Sequence, residues 1–161
     1  MRMTSVAVFM GLPVLTLSPG AALAEDISIS RGEYISIVGG CHDCHTEGYS
    51  EAGGKIDPSK AMKGNPSLGW QGPWGTIYAT NLRLEAYLRD EDAFVDDMKN
   101  MRETLPPMPW YNVRRMQEND IRSFYRYLIS LGEPGKPTPL GSHDVPKTPY
   151  FVIAPPTMPK S

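Results

Sequence analysis

Residues 39–48 read GGCHDCHTEG and hold both cysteines of the chain and two of its three histidines. On a helical turn Cys41 and Cys44 (i, i+3) and His45 (i+4 from Cys41) project from one side. Two thiols one turn apart can form thioethers with the two vinyl groups along one edge of a haem, while the adjoining imidazole reaches the iron. C-x-x-C-H is the attachment pattern of covalently bound haem. Three other chemistries compete for these residues. A structural zinc site wants four ligands, normally as two separated pairs, and the chain has no second C-x-x-C and no H-x₃₋₅-H. A thioredoxin-like pair would open a helix after a strand in a βαβ unit, and no such pattern is visible. A plain disulfide, common in exported chains, leaves the adjoining His45 unexplained. The pattern therefore reads as one haem c, covalent through Cys41 and Cys44, with His45 on the iron. His42 occupies a free position of the motif and reads as a solvated or haem-edge side chain, not a ligand.

The sixth position of the iron is then filled by a second side chain, by an external ligand or by nothing. A methionine raises the reduction potential and suits electron transfer, whereas an open position suits ligand chemistry. Beyond residue 24 the methionines are Met62, Met98, Met101, Met108, Met116 and Met158. Met98 and Met101 have helical spacing on an apolar face and read as core. Met62 sits in a polar loop, Met116 just before a helix, and Met158 near the end of the chain. Met108 alone is stiffened on both sides, by Pro106, Pro107 and Pro109. A loop that holds a weak, neutral thioether at little entropic cost favours a stable iron–sulfur bond. Met108 is the expected distal ligand, with the other methionines, His143 or no ligand as alternatives; His143, in a Pro-rich tail, reads as a surface residue.

The elements that must position these groups are mostly helical. Ser30 and Glu33 have capping-box spacing ahead of a helix running to Gly39, with Tyr34, Ile37 and Val38 on one face. A second helix is expected from Glu91 to Met101, capped by Asp90. A third runs from Asn119 to Gly132, with Ile121, Phe124, Tyr125, Leu128 and Ile129 at offsets of an amphipathic core helix. First and last helices should cross near one haem edge, with Tyr34, Val38, Phe124 and Leu128 as the contact. Residues 46–82, rich in Gly and Pro, read as a long loop wrapping a flat cofactor. Trp70, Trp74 and Trp110 are candidates to wall the pocket, and an indole N–H to reach a propionate. Eight of the 16 prolines lie after Gly132, in a tail expected to be extended and to lie on the surface or on a partner.

The leader MRMTSVAVFMGLPVLTLSPGAALA combines one arginine, an apolar run and a small-residue end ahead of Glu25. This is the form of a secretory signal cleaved after Ala24. Its apolar part is shorter than the roughly 20 residues a spanning helix needs, although an uncleaved anchor shares the same features. Cleavage leaves 15 Lys and Arg against 18 Asp and Glu, a mild negative charge without the basic stripe that nucleic-acid binding requires. The expected organisation is a signal over 1–24, one haem domain over 25–132 and the Pro-rich tail over 133–161.

With these residues placed, the chain resembles mono-haem class I c-type cytochromes, particularly the small haem domains that serve periplasmic dehydrogenases such as alcohol and other quinone or molybdenum oxidoreductases. The likeness rests on SRGEYISIVGGCHDCHT, on GPWGTIYATN, and on LPPMPWYNV followed by NDIRSFYRYLISLG, which together cover most of residues 30–132. It implies a mostly α, cytochrome c-like fold around one covalent haem, with long enclosing loops. By the same resemblance Cys41 and Cys44 are the thioether residues, His45 the proximal and Met108 the distal ligand, and Gly75, Thr76, Tyr78 and Asn81 the haem-pocket loop. His45 should give its other ring N–H to a loop carbonyl, with Pro66 and Pro73 as candidates. NLRLE stands where the family often has an N-I-T-P-D type segment. The implied role is a periplasmic electron carrier, not itself an enzyme, passing electrons from a dehydrogenase to an oxidase or another cytochrome. A haem-based ligand binder or peroxidase-like protein, or a structural haem subunit docked through its tail, is the alternative.

Overall fold

The structure, a computed structural model, describes residues 26–144 and 146–159; the expected leader lies outside them. Ser28 opens helix α1 (Ile29–Val38), its hydroxyl accepting from the Arg31 N–H. One of the N–H groups that a helix start leaves bare is thereby satisfied. The cap is Ser28 and not Ser30, whose hydroxyl instead contacts that of Ser28. Gly40 then adopts left-handed backbone at φ 70° and turns the chain directly into α2 (Cys41–His45), a conformation that costs glycine nothing. Asn81 caps α3 (Leu82–Tyr87) and Asp90 caps α4 (Glu91–Lys99), each through a side-chain oxygen that accepts a backbone N–H. The single turn α5 (Trp110–Val113) follows the prolines and leads into α6 (Glu118–Ser130).

The core lies along α6. Ile121, Phe124 and Leu128 are buried with Tyr127, and Phe94, Val95, Met62 and Ala86 complete the cluster. Burial stabilises by about 1.5–3 kcal/mol for each large apolar side chain, so this cluster is a principal source of stability. Of the residues expected on this helix face, Tyr125 is half-buried and Ile129 exposed.

The face that α1 turns towards α6 is built from Gly32 and Ser36. A Cβ on Gly32 would lie 2.0 Å from the Ser123 carbonyl oxygen. The backbones thus approach until only a hydrogen fits between them, and Tyr34 and Val38 are excluded from the crossing, 55% and 60% exposed. The expected contact holds on the α6 side, where Phe124 and Leu128 are buried, and fails on the α1 side. Arg31 fastens the crossing by an ion pair to Asp120 at 2.8 Å.

A small sheet departs from the mostly α expectation. Within residues 46–82, β1 (Asn65–Gly72) runs antiparallel to β2 (Gly75–Ala79), with Pro73 and Trp74 at the turn and a bulge between Asn65 and Gly69. β3 (Tyr150–Val152), from the Pro-rich tail, pairs parallel with β1 on its other edge, giving the order β2-β1-β3. NPSLGWQG contains one proline, two glycines and no β-branched residue, so it lacks the composition that marks a strand. Among the described residues no helix is long and apolar enough to cross a membrane.

Candidate haem-attachment site

All of CHDCH lies on α2. Cys41 and Cys44 are unpaired thiols, each half-buried, and Cys41 packs against the core. Burial pushes the Cys41 thiol up to about 11, and burial followed by the nearby Asp43 raises that of Cys44. Such thiols lack the thiolate character on which a thioredoxin-like pair depends. Among the described residues, no group of three or more His, Cys, Asp or Glu is arranged to hold a metal ion.

His45 is 8% exposed, and its Nδ1 lies 2.8 Å from the carbonyl oxygen of Thr80. A carbonyl only accepts, so Nδ1 carries the proton and Nε2 keeps the lone pair that a metal requires. Burial lowers the affinity of the ring for a second proton, and the Thr80 bond opposes this in part. A ligating histidine is typically oriented in this way by a second bond. The acceptor is Thr80 and neither Pro66 nor Pro73. Thr80 stands between the end of β2 and the Asn81 cap, so its carbonyl is fixed from both sides.

Asn81 does more than cap α3. Its Oδ1 accepts from the Leu84 N–H at 2.9 Å, while its Nδ2 donates to the carbonyls of Pro134 at 2.6 Å and Lys136 at 2.9 Å. Arg83, in the NLRLE segment, is buried and donates to the carbonyls of Pro58, Ala61, Leu131 and Glu133. It belongs to no motif of the sequence, and its signal there is a charge between two leucines. Met62, read as a loop residue, is fully buried in the core, with left-handed backbone at φ 56°.

The reading of His42 as a solvated side chain does not hold. It is fully buried, with Nδ1 2.8 Å from Thr46 Oγ1, Nε2 3.3 Å from the Tyr127 hydroxyl, and its ring stacked on Tyr49 at 5.0 Å. Burial, with a smaller contribution from the neighbouring His45, lowers its pKa to about 4. Its imidazole joins α2 to α6, a structural role that a free motif position does not advertise.

The expected pocket loop lies along β2. Gly75, at φ 97°, abuts the backbone of Ser142 and His143, and Thr76 exchanges backbone hydrogen bonds with Ser142 at 2.7 and 2.9 Å. The Tyr78 hydroxyl meets that of Thr148 at 3.0 Å, and His143 is exposed. Trp74 Nε1 and Thr76 Oγ1 are buried without a hydrogen-bond partner. Leaving such a group unpaired costs about 1–3 kcal/mol, so these two positions call for an acceptor that the described residues do not supply. Propionate carboxylates are such acceptors. Two free thiols one turn apart and an imidazole oriented through Nδ1 fit the attachment of a haem, and the two orphan groups fit its propionates.

Trp70 is buried against Phe151, and Trp110 lies under the Arg114 guanidinium at 4.8 Å. Met108 is half-buried; its N–H donates to the Leu105 carbonyl at 3.3 Å and its own carbonyl accepts from Trp110 at 3.0 Å. Hydrogen bonds thus join His45 to Thr80 and the next residue, Asn81, to the tail, while those of the Met108 backbone stay within its own segment.

Three comparisons bear on this site. Over 131 residues the chain is 29% identical to the cytochrome c subunit of alcohol dehydrogenase (quinone) from Gluconobacter oxydans (strain 621H), covering 72% of this chain and 24% of that protein. It is 27% identical over 143 residues to the fructose dehydrogenase cytochrome subunit of Gluconobacter japonicus, covering 82% and 27%. It is 29% identical over 124 residues to the gluconate 2-dehydrogenase cytochrome c subunit of Pantoea cypripedii, covering 68% and 25%. No family model and no solved structure matches the chain. The chain spans about a quarter of the length of these curated relatives. Its similarity to cytochrome c subunits of dehydrogenases supports a cytochrome c-type chain.

Proposed function

We propose that this protein is a c-type cytochrome with one covalent haem, carrying single electrons from a dehydrogenase to a respiratory acceptor such as an oxidase or another cytochrome. The observation that carries the reading is His45: buried, oriented through Nδ1 by Thr80, and one position from a half-buried thiol pair. The bound group supplies a ferric–ferrous couple. Cys41 and Cys44 would hold it by thioethers, with His45 Nε2 and the Met108 thioether as the ligands of its iron. Trp74 and Thr76 offer their unpaired donors to the propionates, and Gly75, Tyr78 and Asn81 shape the adjoining loop. A neutral thioether and an apolar surround both favour the ferrous state, because low dielectric disfavours the added ferric charge.

The dehydrogenase as donor rests on the names of the relatives, which are cytochrome subunits of alcohol, fructose and gluconate dehydrogenases. Periplasmic location rests on the leader, removed after Ala24, with the haem domain over 25–132 and the tail over 133–161 as the mature parts. The test is expression with the leader and haem-maturation machinery. The expected product has the mass of residues 25–161 plus one haem, and cycles between low-spin ferric and ferrous spectra. A product without covalent haem would overturn the proposal.

A further inference from the structure

Resting on that reading, we propose that Asn81 is a positioning residue through which the start of the tail, residues 134–138, sets the hydrogen bond on His45 and thereby the electron-donating strength of the ligand. The Thr80 carbonyl that accepts from His45 Nδ1 belongs to the peptide unit leading directly into Asn81. The Asn81 side chain is fixed by three bonds, one to the start of α3 and two to tail carbonyls. A simple cap uses only the oxygen: here the oxygen serves α3, and the amide nitrogen serves only the tail.

A second contact closes the other side of the same peptide. Gly64 donates its N–H to the His45 carbonyl at 2.9 Å. A Cβ on Gly64 would lie 2.4 Å from the Thr138 methyl, 2.7 Å from the Ala79 carbonyl oxygen and 2.9 Å from the Thr80 carbonyl carbon. The end of α2, the Thr80 peptide and the tail therefore converge where only a hydrogen fits. Arg83 adds a third tie, to the Leu131 and Glu133 carbonyls at the root of the tail.

An N–H···O=C bond on a ligating imidazole raises its basicity. A more basic ligand stabilises the ferric state, so loosening the Thr80 carbonyl raises the reduction potential. Asn81→Asp keeps the capping oxygen but turns the amide donor into an oxygen facing two carbonyls. Asn81→Ser keeps a capping oxygen and removes the donor without adding charge, which preserves the test should the carboxylate hinder folding. Thr148→Val, which cuts the tail's bond to Tyr78, serves as the control.

The experiment is an equilibrium redox titration of the full-length haem protein and its three variants, with hydrogen exchange of the His45 Nδ1–H that the Thr80 carbonyl holds. Both Asn81 variants are expected to shift the midpoint upward and to exchange this proton faster, with Thr148→Val keeping the wild-type midpoint. Faster exchange with an unchanged midpoint, no change in either quantity, or an equal shift in Thr148→Val would overturn the inference while leaving the haem reading intact. A wild-type protein without covalent haem would overturn both.

Discussion

His45 and Met108, the two proposed iron ligands, stand in contrasting surroundings. Around His45, four side chains from two segments bond to backbone: its own ring to Thr80, Asn81 to the tail, Arg83 to the 58–61 loop and to the root of the tail, and Thr46 to Met62. Around Met108, residues 102–107 are exposed, and the segment is fastened by Arg114, which donates to the Met101 carbonyl and covers Trp110. The imidazole is held by hydrogen bonds drawn from distant parts of the chain. The thioether has no N–H to orient, and its segment relies on the fixed φ of its prolines.

The contrast can be broken most forcefully at the arginines. Arg83→Ala removes the donor to four carbonyls in a buried setting. Since hydrogen bonds to a charged group contribute about 1.5–3 kcal/mol each, the loss should be about 3 kcal/mol or more by urea unfolding. Arg114→Ala, on the exposed Met108 segment, should cost about 1 kcal/mol or less. Equal costs would erase the distinction between the two sides.

A comparable effect follows from pH. His42 is neutral in the folded protein down to about 4 but takes a proton near its ordinary value of 6.5 once unfolded. The unfolded state therefore binds more protons between these values, and stability falls as pH falls through this window. The full loss is about 3 kcal/mol. His42→Asn should flatten that part of the profile; a variant whose urea stability declines as steeply as wild type between about pH 7 and about pH 4.5 would refute the assignment.

Smaller effects sharpen the picture. Asp90→Ala removes the α4 cap and should cost about 1 kcal/mol in thermal unfolding. Met108→Ala should change the stability of the haem-free fold by less than about 1 kcal/mol, because the residue is only half-buried. In the haem protein the same variant should admit carbon monoxide far faster than wild type does.

What could be read from the sequence was written in side-chain type and spacing. CHDCH lies on one helix, Asp90 caps α4 where its acidic first turn placed it, and the period of α6 locates Ile121, Phe124 and Leu128 in the core. What could not be read depends on backbone. A carbonyl has no residue identity, so Thr80 was indistinguishable from Pro66 or Pro73. The second edge of β1 is paired by a three-residue segment some eighty residues downstream, too short to carry a pattern of its own. Gly32 is decisive at the α1–α6 crossing through the side chain it lacks, and apolar periodicity cannot register an absent side chain. The burial of His42 depends on Thr46, at the end of its own helix, and Tyr127, on α6, meeting its ring from two sides, and the second of these contacts is visible only in three dimensions.

The most direct test of the central claim is the optical spectrum of the purified haem protein, oxidised and reduced, with carbon monoxide then added to the reduced form. A low-spin haem that shows the weak red ferric methionine–iron band and ignores the gas is the predicted result. A high-spin haem that binds carbon monoxide at once would contradict the His45–Met108 electron carrier.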